Sequence, residues 1–188
     1  MKKALLIIDV QQGFENERWG ERNNPDAENN MLRLIEQFRE SGLEVIHIQH
    51  ASKTEDGSFF PEKEGYRFKK GFEPRPEEAH FVKNVNSAFI GTKLKEHLEK
   101  NKLTHLTVAG LTTCHCVSTT VRMAANYGFT VDLVHDATAA FEMASYDGRK
   151  YSAQEVHDTA LLHLNEEFAG IVTTEDVIRG LTAQTAQK

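Results

Sequence analysis

Leu106-Thr107-Val108-Ala109-Gly110-Leu111-Thr112-Thr113-Cys114-His115-Cys116-Val117-Ser118-Thr119-Thr120 joins two different patterns and holds both cysteines of the chain. It opens as a short apolar run of β type, and Gly110 follows as the expected turn. From Val117 onward apolar residues return at helical spacing, as Val121, Ala124 and Ala125, with Gly128 placed as a C-terminal cap. A thiol in such a turn lies near the positive end of a helix dipole, which favours thiolate over thiol. Free cysteine has a pKa of about 8.5, so a nucleophile there also needs a base or a cation close by. Burial as a small structural side chain is the other common fate of a cysteine.

Working outward, the same alternation recurs. Residues 4–10 form an almost unbroken apolar run interrupted by Asp9, the signature of a strand covered on both faces. Met31, Leu34, Ile35 and Phe38 repeat at i, i+3, i+4, i+7 and predict a helix over 25–41, ended by Gly42. Strands are expected at 45–49, 81–83, 103–109, 130–134 and 171–173, and helices at 92–101, 152–168 and around Val177, capped by Thr174. The result is an α/β chain: a three-layer α/β/α sandwich on a mainly parallel sheet. Between these elements, the segment holding Phe14 and Trp19 and the polar stretch 51–78 are loops able to line a pocket.

Composition sets the class. The 188 residues suit one domain, assigned to 1–181, with a polar and frayed tail at 182–188. A formal net charge of −6 gives neither nucleic acid nor an anionic membrane an attractive surface, so neither is an expected partner. No apolar run approaches the roughly 20 residues of a membrane span. The apolar start of the chain is too short for a signal peptide and meets Asp9 at once. Two cysteines one residue apart cannot readily reach disulfide geometry. Reduced thiols then point to a cytoplasmic setting.

Three chemistry-bearing residues fall at strand ends: Asp9, Lys83 and Cys116. In a parallel sheet these can converge on one crevice. Their surroundings read Ile7-Ile8-Asp9-Val10-Gln11, Lys83-x-x-x-Ser87-Ala88-Phe89-x-x-Thr92-x-Leu94, Gly110-Leu111-Thr112-Thr113-x-x-Cys116-Val117 and Asp136-Ala137. Together, in that order along nearly the whole chain, these pieces resemble the isochorismatase-like superfamily of cysteine hydrolases. The overall pattern is nearest its metal-independent, streptothricin-hydrolase-like branch.

The resemblance implies a six-stranded sheet of order 3-2-1-4-5-6. Cys116 would be the nucleophile, Asp9 its general base, and Lys83 the cation that holds the pair. It also implies a cis peptide at Leu111–Thr112, with the amides of Thr112 and Cys116 as an oxyanion hole. Phe14, Trp19, His50 and Phe89 are the expected substrate contacts. Nicotinamidase-like members carry Asp-x-His-x-x-x-His after the second strand, where this chain offers His50, Ser52 and Asp56. Serine is a poor ligand for a transition metal, so no metal and no other cofactor is expected.

The activity so implied is hydrolysis of a carbonyl–nitrogen bond in a small molecule through a cysteinyl acyl-enzyme, by a protein that forms homo-oligomers. Two other readings remain: vinyl-ether cleavage with Asp9 as proton donor, and a non-catalytic binding domain on the same fold.

Overall fold

The computed structural model describes residues 2–185. In chain order the elements are β1 (Lys2–Ile8), α1 (Ala27–Glu40), β2 (Glu44–His50), β3 (Ala79–Lys83), α2 (Leu94–Lys100), β4 (Leu103–Leu111), α3 (Ser118–Asn126) and β5 (Thr130–Ala139). There follow β6 (Met143–Ala144), β7 (Lys150–Tyr151), α4 (Ala153–Leu164), β8 (Gly170–Val172) and α5 (Thr174–Thr185). Six strands form one parallel sheet of order β3-β2-β1-β4-β5-β8. This is the expected order, because β6 and β7 pair only with each other, as a small antiparallel hairpin.

The layers follow from the period-2 alternation of the strands. On β1, Ala4, Leu6 and Ile8 join a core with Leu94 and Leu98 of α2 and Val121 and Ala124 of α3. Leu5 and Ile7 face the other way, onto Met31, Leu34, Ile35 and Phe38 of α1 and Leu181 of α5. Covered on both faces, Ala4 to Ile8 are all 0% exposed. Burying a leucine- or isoleucine-sized side chain contributes about 1.5–3 kcal/mol, so β1 is firmly held in the middle of the sheet.

Several boundaries differ from the sequence reading. β4 continues through Gly110 to Leu111, so no turn occurs at Gly110. That glycine has φ +133, and a Cβ on it would lie 2.2 Å from the Ile8 carbonyl oxygen. It permits a close approach of β1 and β4 rather than a reversal. β5 runs on to Ala139 past a register shift, so Asp136 is inside it. The Asp136 carboxylate accepts from the Thr174 amide and hydroxyl at 2.8 Å each, tying β5 to α5. The N-terminal cap of α5 is therefore Thr173, whose hydroxyl accepts from the Asp176 amide at 3.1 Å, and not Thr174. α4 ends at Leu164 rather than 168, and its start is fixed by a reciprocal Ser152/Glu155 capping box. α5 extends to Thr185, beyond the point where the tail was expected to begin; residues 186–188 lie outside those described.

Candidate active site

The crevice opens where β1 and β4, adjacent in the sheet, end and their chains leave in different directions. Asp9 follows β1 with φ 53, a left-handed conformation that aspartate tolerates better than most residues. Lys83 is the last residue of β3, and its side chain is 0% exposed. Cys116 lies in one wide π-type turn, Thr113–Val117, closed by the Val117 amide on the Thr112 carbonyl at 3.3 Å. A second contact steadies that turn: Thr113 Oγ1 and Nδ1 of the buried His157 on α4 lie 2.8 Å apart. The peptide between Leu111 and Thr112 is cis.

Lys83 is the hub. Its Nζ donates to Asp9 Oδ2 at 2.6 Å and to Cys116 Sγ at 3.3 Å, and contacts His50 Nδ1 at 3.1 Å. Asp9 is 1% exposed, and its other oxygen, Oδ1, has no hydrogen-bond partner among the described residues. Burial pushes the Asp9 carboxyl above its ordinary value, with Lys83 pulling the other way. Burial, and then the Asp9 charge, push the Cys116 thiol up to about 12, against the opposing influence of Lys83. Burial and the Asp9 carboxylate thus work against the thiolate that the helix dipole favours, and Lys83 works for it.

A cavity of about 240 Å³ lies over this group. One wall is aromatic: Phe14 packs on Trp19 at 5.2 Å and on Phe59 at 4.7 Å between ring centroids. His50, Asn86, Thr112 and His115 supply the polar lining. The Trp19 indole is anchored by its Nε1–H on the Gly13 carbonyl at 2.8 Å.

Of the expected substrate contacts, Phe14, Trp19 and His50 line the cavity and Phe89 does not. Phe89 packs in the helix layer instead, 6.2 Å from Phe129 and 5.3 Å from Tyr127. Cys114 opens toward a separate hollow shared with Ser118, Arg122 and α4.

Asp9, His50 and Cys116 offer donor atoms within 4.8 Å of one another, a spacing that a metal ion can use. The Lys83 ammonium already contacts all three, so the cation of this cluster is the lysine. Asp56 does not join them: it lines another surface hollow with Arg18 and Lys63.

Residues 3–176 match the isochorismatase domain. The chain belongs to the isochorismatase family of hydrolases. It is 48% identical to the uncharacterized isochorismatase family protein YrdC of Bacillus subtilis, over 94% of this chain and 95% of that one. A streptothricin hydrolase of Streptomyces noursei is 32% identical over 78% of this chain and 58% of its own length. Among solved structures, an isochorismatase-family protein from Chromobacterium violaceum superposes with a TM-score of 0.94 at 40% identity, covering 97% of this chain and 94% of its own.

Within this isochorismatase-family crevice, sequence reasoning missed Phe59, Asn86 and His115. It also assigned no role to Gln11, which lies in a quoted motif. The buried Gln11 side chain accepts from the His50 amide at 2.8 Å and donates to the carbonyls of His50 and Tyr66 at 3.0 and 2.8 Å. A polar residue directly after a buried strand end was the available signal.

Proposed function

We propose that the protein is a cysteine amidohydrolase, cleaving a carbonyl–nitrogen bond in a small molecule through a thioester on Cys116, with no metal required. The observation that carries this reading is the contact of one buried lysine with both Asp9 and Cys116 on the floor of the cavity. A nucleophile, a base and a cation in direct contact, roofed by a substrate-sized hollow, fit acyl transfer. Similarity to a streptothricin hydrolase supports hydrolysis as the outcome.

The reaction begins when the Cys116 thiol gives its proton to the Asp9 carboxylate as sulfur attacks the carbonyl carbon. The amides of Thr112 and Cys116 stabilise the oxyanion that develops. Asp9, now protonated, returns the proton to the nitrogen, the C–N bond breaks, and the amine leaves a thioester behind. Water then attacks the thioester with Asp9 again as base, releasing the acid and restoring the thiol. Lys83 holds Asp9 and sulfur together and offsets the negative charge that passes between them.

A panel of small amides and ureides, assayed after dialysis against a strong chelator, tests the reading. Wild type is expected to hydrolyse at least one member, and Cys116→Ala none. Activity lost on chelation and restored by zinc or iron would contradict the metal-free mechanism. Amide hydrolysis surviving in Cys116→Ala would contradict the nucleophile. The upward shift of the Asp9 carboxyl favours one second reading, proton donation to a vinyl ether, which would then lead.

A further inference from the structure

α4 turns Ala153, His157, Ala160 and Leu164 inward, so one polar side chain interrupts an apolar face. His157 is 1% exposed, and burial lowers its pKa, opposed by Asp158 and helped by His135, so the ring is neutral. A neutral imidazole carries one proton and one free lone pair. Nδ1 lies 2.8 Å from Thr113 Oγ1, while the buried Nε2 finds no partner among the described residues. With the threonine hydroxyl donating to Nδ1, the one unmet group is the Nε2 proton. With Nδ1 donating instead, the Nε2 lone pair and the threonine proton are both unmet. The first assignment is favoured: Thr113 donates and His157 accepts. Even so, a buried donor without an acceptor is destabilising, and a leucine would cover the same face without one. What histidine adds there is its hold on Thr113.

Thr113 opens the turn that carries the nucleophile. That turn is thinly bonded, since the amides of His115 and Val117 share the Thr112 carbonyl at 3.1 and 3.3 Å. Lys83 holds Cys116 from one side. From the other, the Thr113–His157 bond is the hydrogen bond that ties the turn to α4 among the described residues. Thr112 and Cys116, whose amides face the developing oxyanion in the proposed mechanism, lie one residue before Thr113 and three after it. A shift of the turn therefore displaces sulfur and donors together, and about 1 Å of misplacement can cost roughly a hundredfold in rate.

We propose, resting on the amidohydrolase reading, that His157 is a positioning residue. Through Thr113 it fixes the turn, and with it the alignment of Cys116 Sγ and the oxyanion amides to the substrate carbonyl. It touches neither the substrate nor the reacting atoms.

Two reactions of Cys116, followed in a Cys114→Ser background, test this. In acylation by p-nitrophenyl acetate, sulfur attacks the carbonyl carbon, the thiol proton passes to Asp9, the C–O bond breaks and p-nitrophenolate leaves. Alkylation by iodoacetamide displaces iodide and forms no oxyanion. His157→Leu and Thr113→Val, the second nearly isosteric, are each expected to lower the maximal acylation rate roughly ten- to a hundredfold. The half-saturating ester concentration and the alkylation rate should each change less than about threefold. His157→Asn, whose side-chain oxygen can accept in place of Nδ1, and Thr113→Ser should recover most of the loss. The double variant His157→Leu/Thr113→Val should lose no more than the worse single one, because both remove the same bond. Leu164→Ala, a cavity on the same helix, should lower the urea midpoint and leave acylation unchanged. The proposal is overturned if both single variants acylate like wild type, or if acylation and alkylation fall together. It is equally overturned if the conservative variants recover nothing, if the two losses multiply, or if Leu164→Ala loses acylation as well. Loss of the proposal alone leaves wild type acylated; if wild type is neither acylated nor turns over an amide, the hydrolytic reading falls and takes the proposal with it.

Discussion

At Lys83 the balance of charges is open to direct measurement. Lys83 and Asp9 are each no more than 1% exposed, so removing one leaves the other charged and buried. Breaking a buried pair in this way costs about 3–5 kcal/mol. Lys83→Met should therefore lower the urea midpoint steeply, and Asp9→Asn added to it should recover most of the loss; a wild-type midpoint in Lys83→Met would show that the pair is not held as described. The thiol offers a second test. Burial and then Asp9 raise the Cys116 pKa while Lys83 lowers it, so Asp9→Asn should bring thiolate absorbance to lower pH, followed in a Cys114→Ser background. An unchanged or higher midpoint would mean that the Asp9 charge does not reach the sulfur. Asp9, Lys83 and Cys116 were legible in the sequence because reactive residue types at the ends of buried strands have few places to go but the crevice. Phe89 was misjudged because a motif fixes sequence neighbours, not the layer into which a side chain turns.

Between elements, Gln11 joins the ends of β1 and β2 to the loop that carries Phe59 into the cavity. Its amide serves three backbone groups, on His50 and Tyr66, and Gln49 Nε2 adds a bond to the same Tyr66 carbonyl at 2.8 Å. Gln11→Ala should cost about 1–3 kcal/mol in chemical denaturation, because buried backbone groups lose their partners. It should also speed proteolysis within 51–78. A neutral substitution would contradict the clamp. The regular elements could be read from the sequence because their apolar residues repeat at 2 or 3.6 positions. The path of 51–78 could not, since it is set by individual side-chain-to-backbone bonds that leave no period. Gly110 shows the intermediate case: a glycine ending an apolar run reads as a turn, yet what demands it is the Ile8 backbone on the neighbouring strand.

For the whole molecule, pH reports how many buried groups resist protonation. Burial lowers the pKa of His47, His50, His80, His115 and His157 below the ordinary 6.5, that of His50 to about 4. A group with a depressed folded-state pKa contributes stability above its unfolded value and loses it as pH falls. The histidine contribution should therefore be complete above about 6.5 and decline from there toward 4. Glu28 and Glu78, both lowered to about 2 by their arginine partners and, for Glu28, Lys69, add to the loss below their ordinary 4.5. Asp9, shifted upward, works in the opposite sense, but is one group against several. Urea midpoints should thus hold from pH 7.5 to about 6.5 and fall from there to pH 5; a flat profile throughout would show that the histidines are not held neutral. The central claim concerns a covalent bond, and intact-mass spectrometry of acid-quenched turnover mixtures reads it most directly. With a carboxamide substrate, wild type and Cys114→Ser should gain the acyl mass, mapped to the peptide containing Cys116, and Cys116→Ala should gain nothing and turn nothing over. Turnover by Cys116→Ala, or acylation mapped to Cys114, would contradict the account.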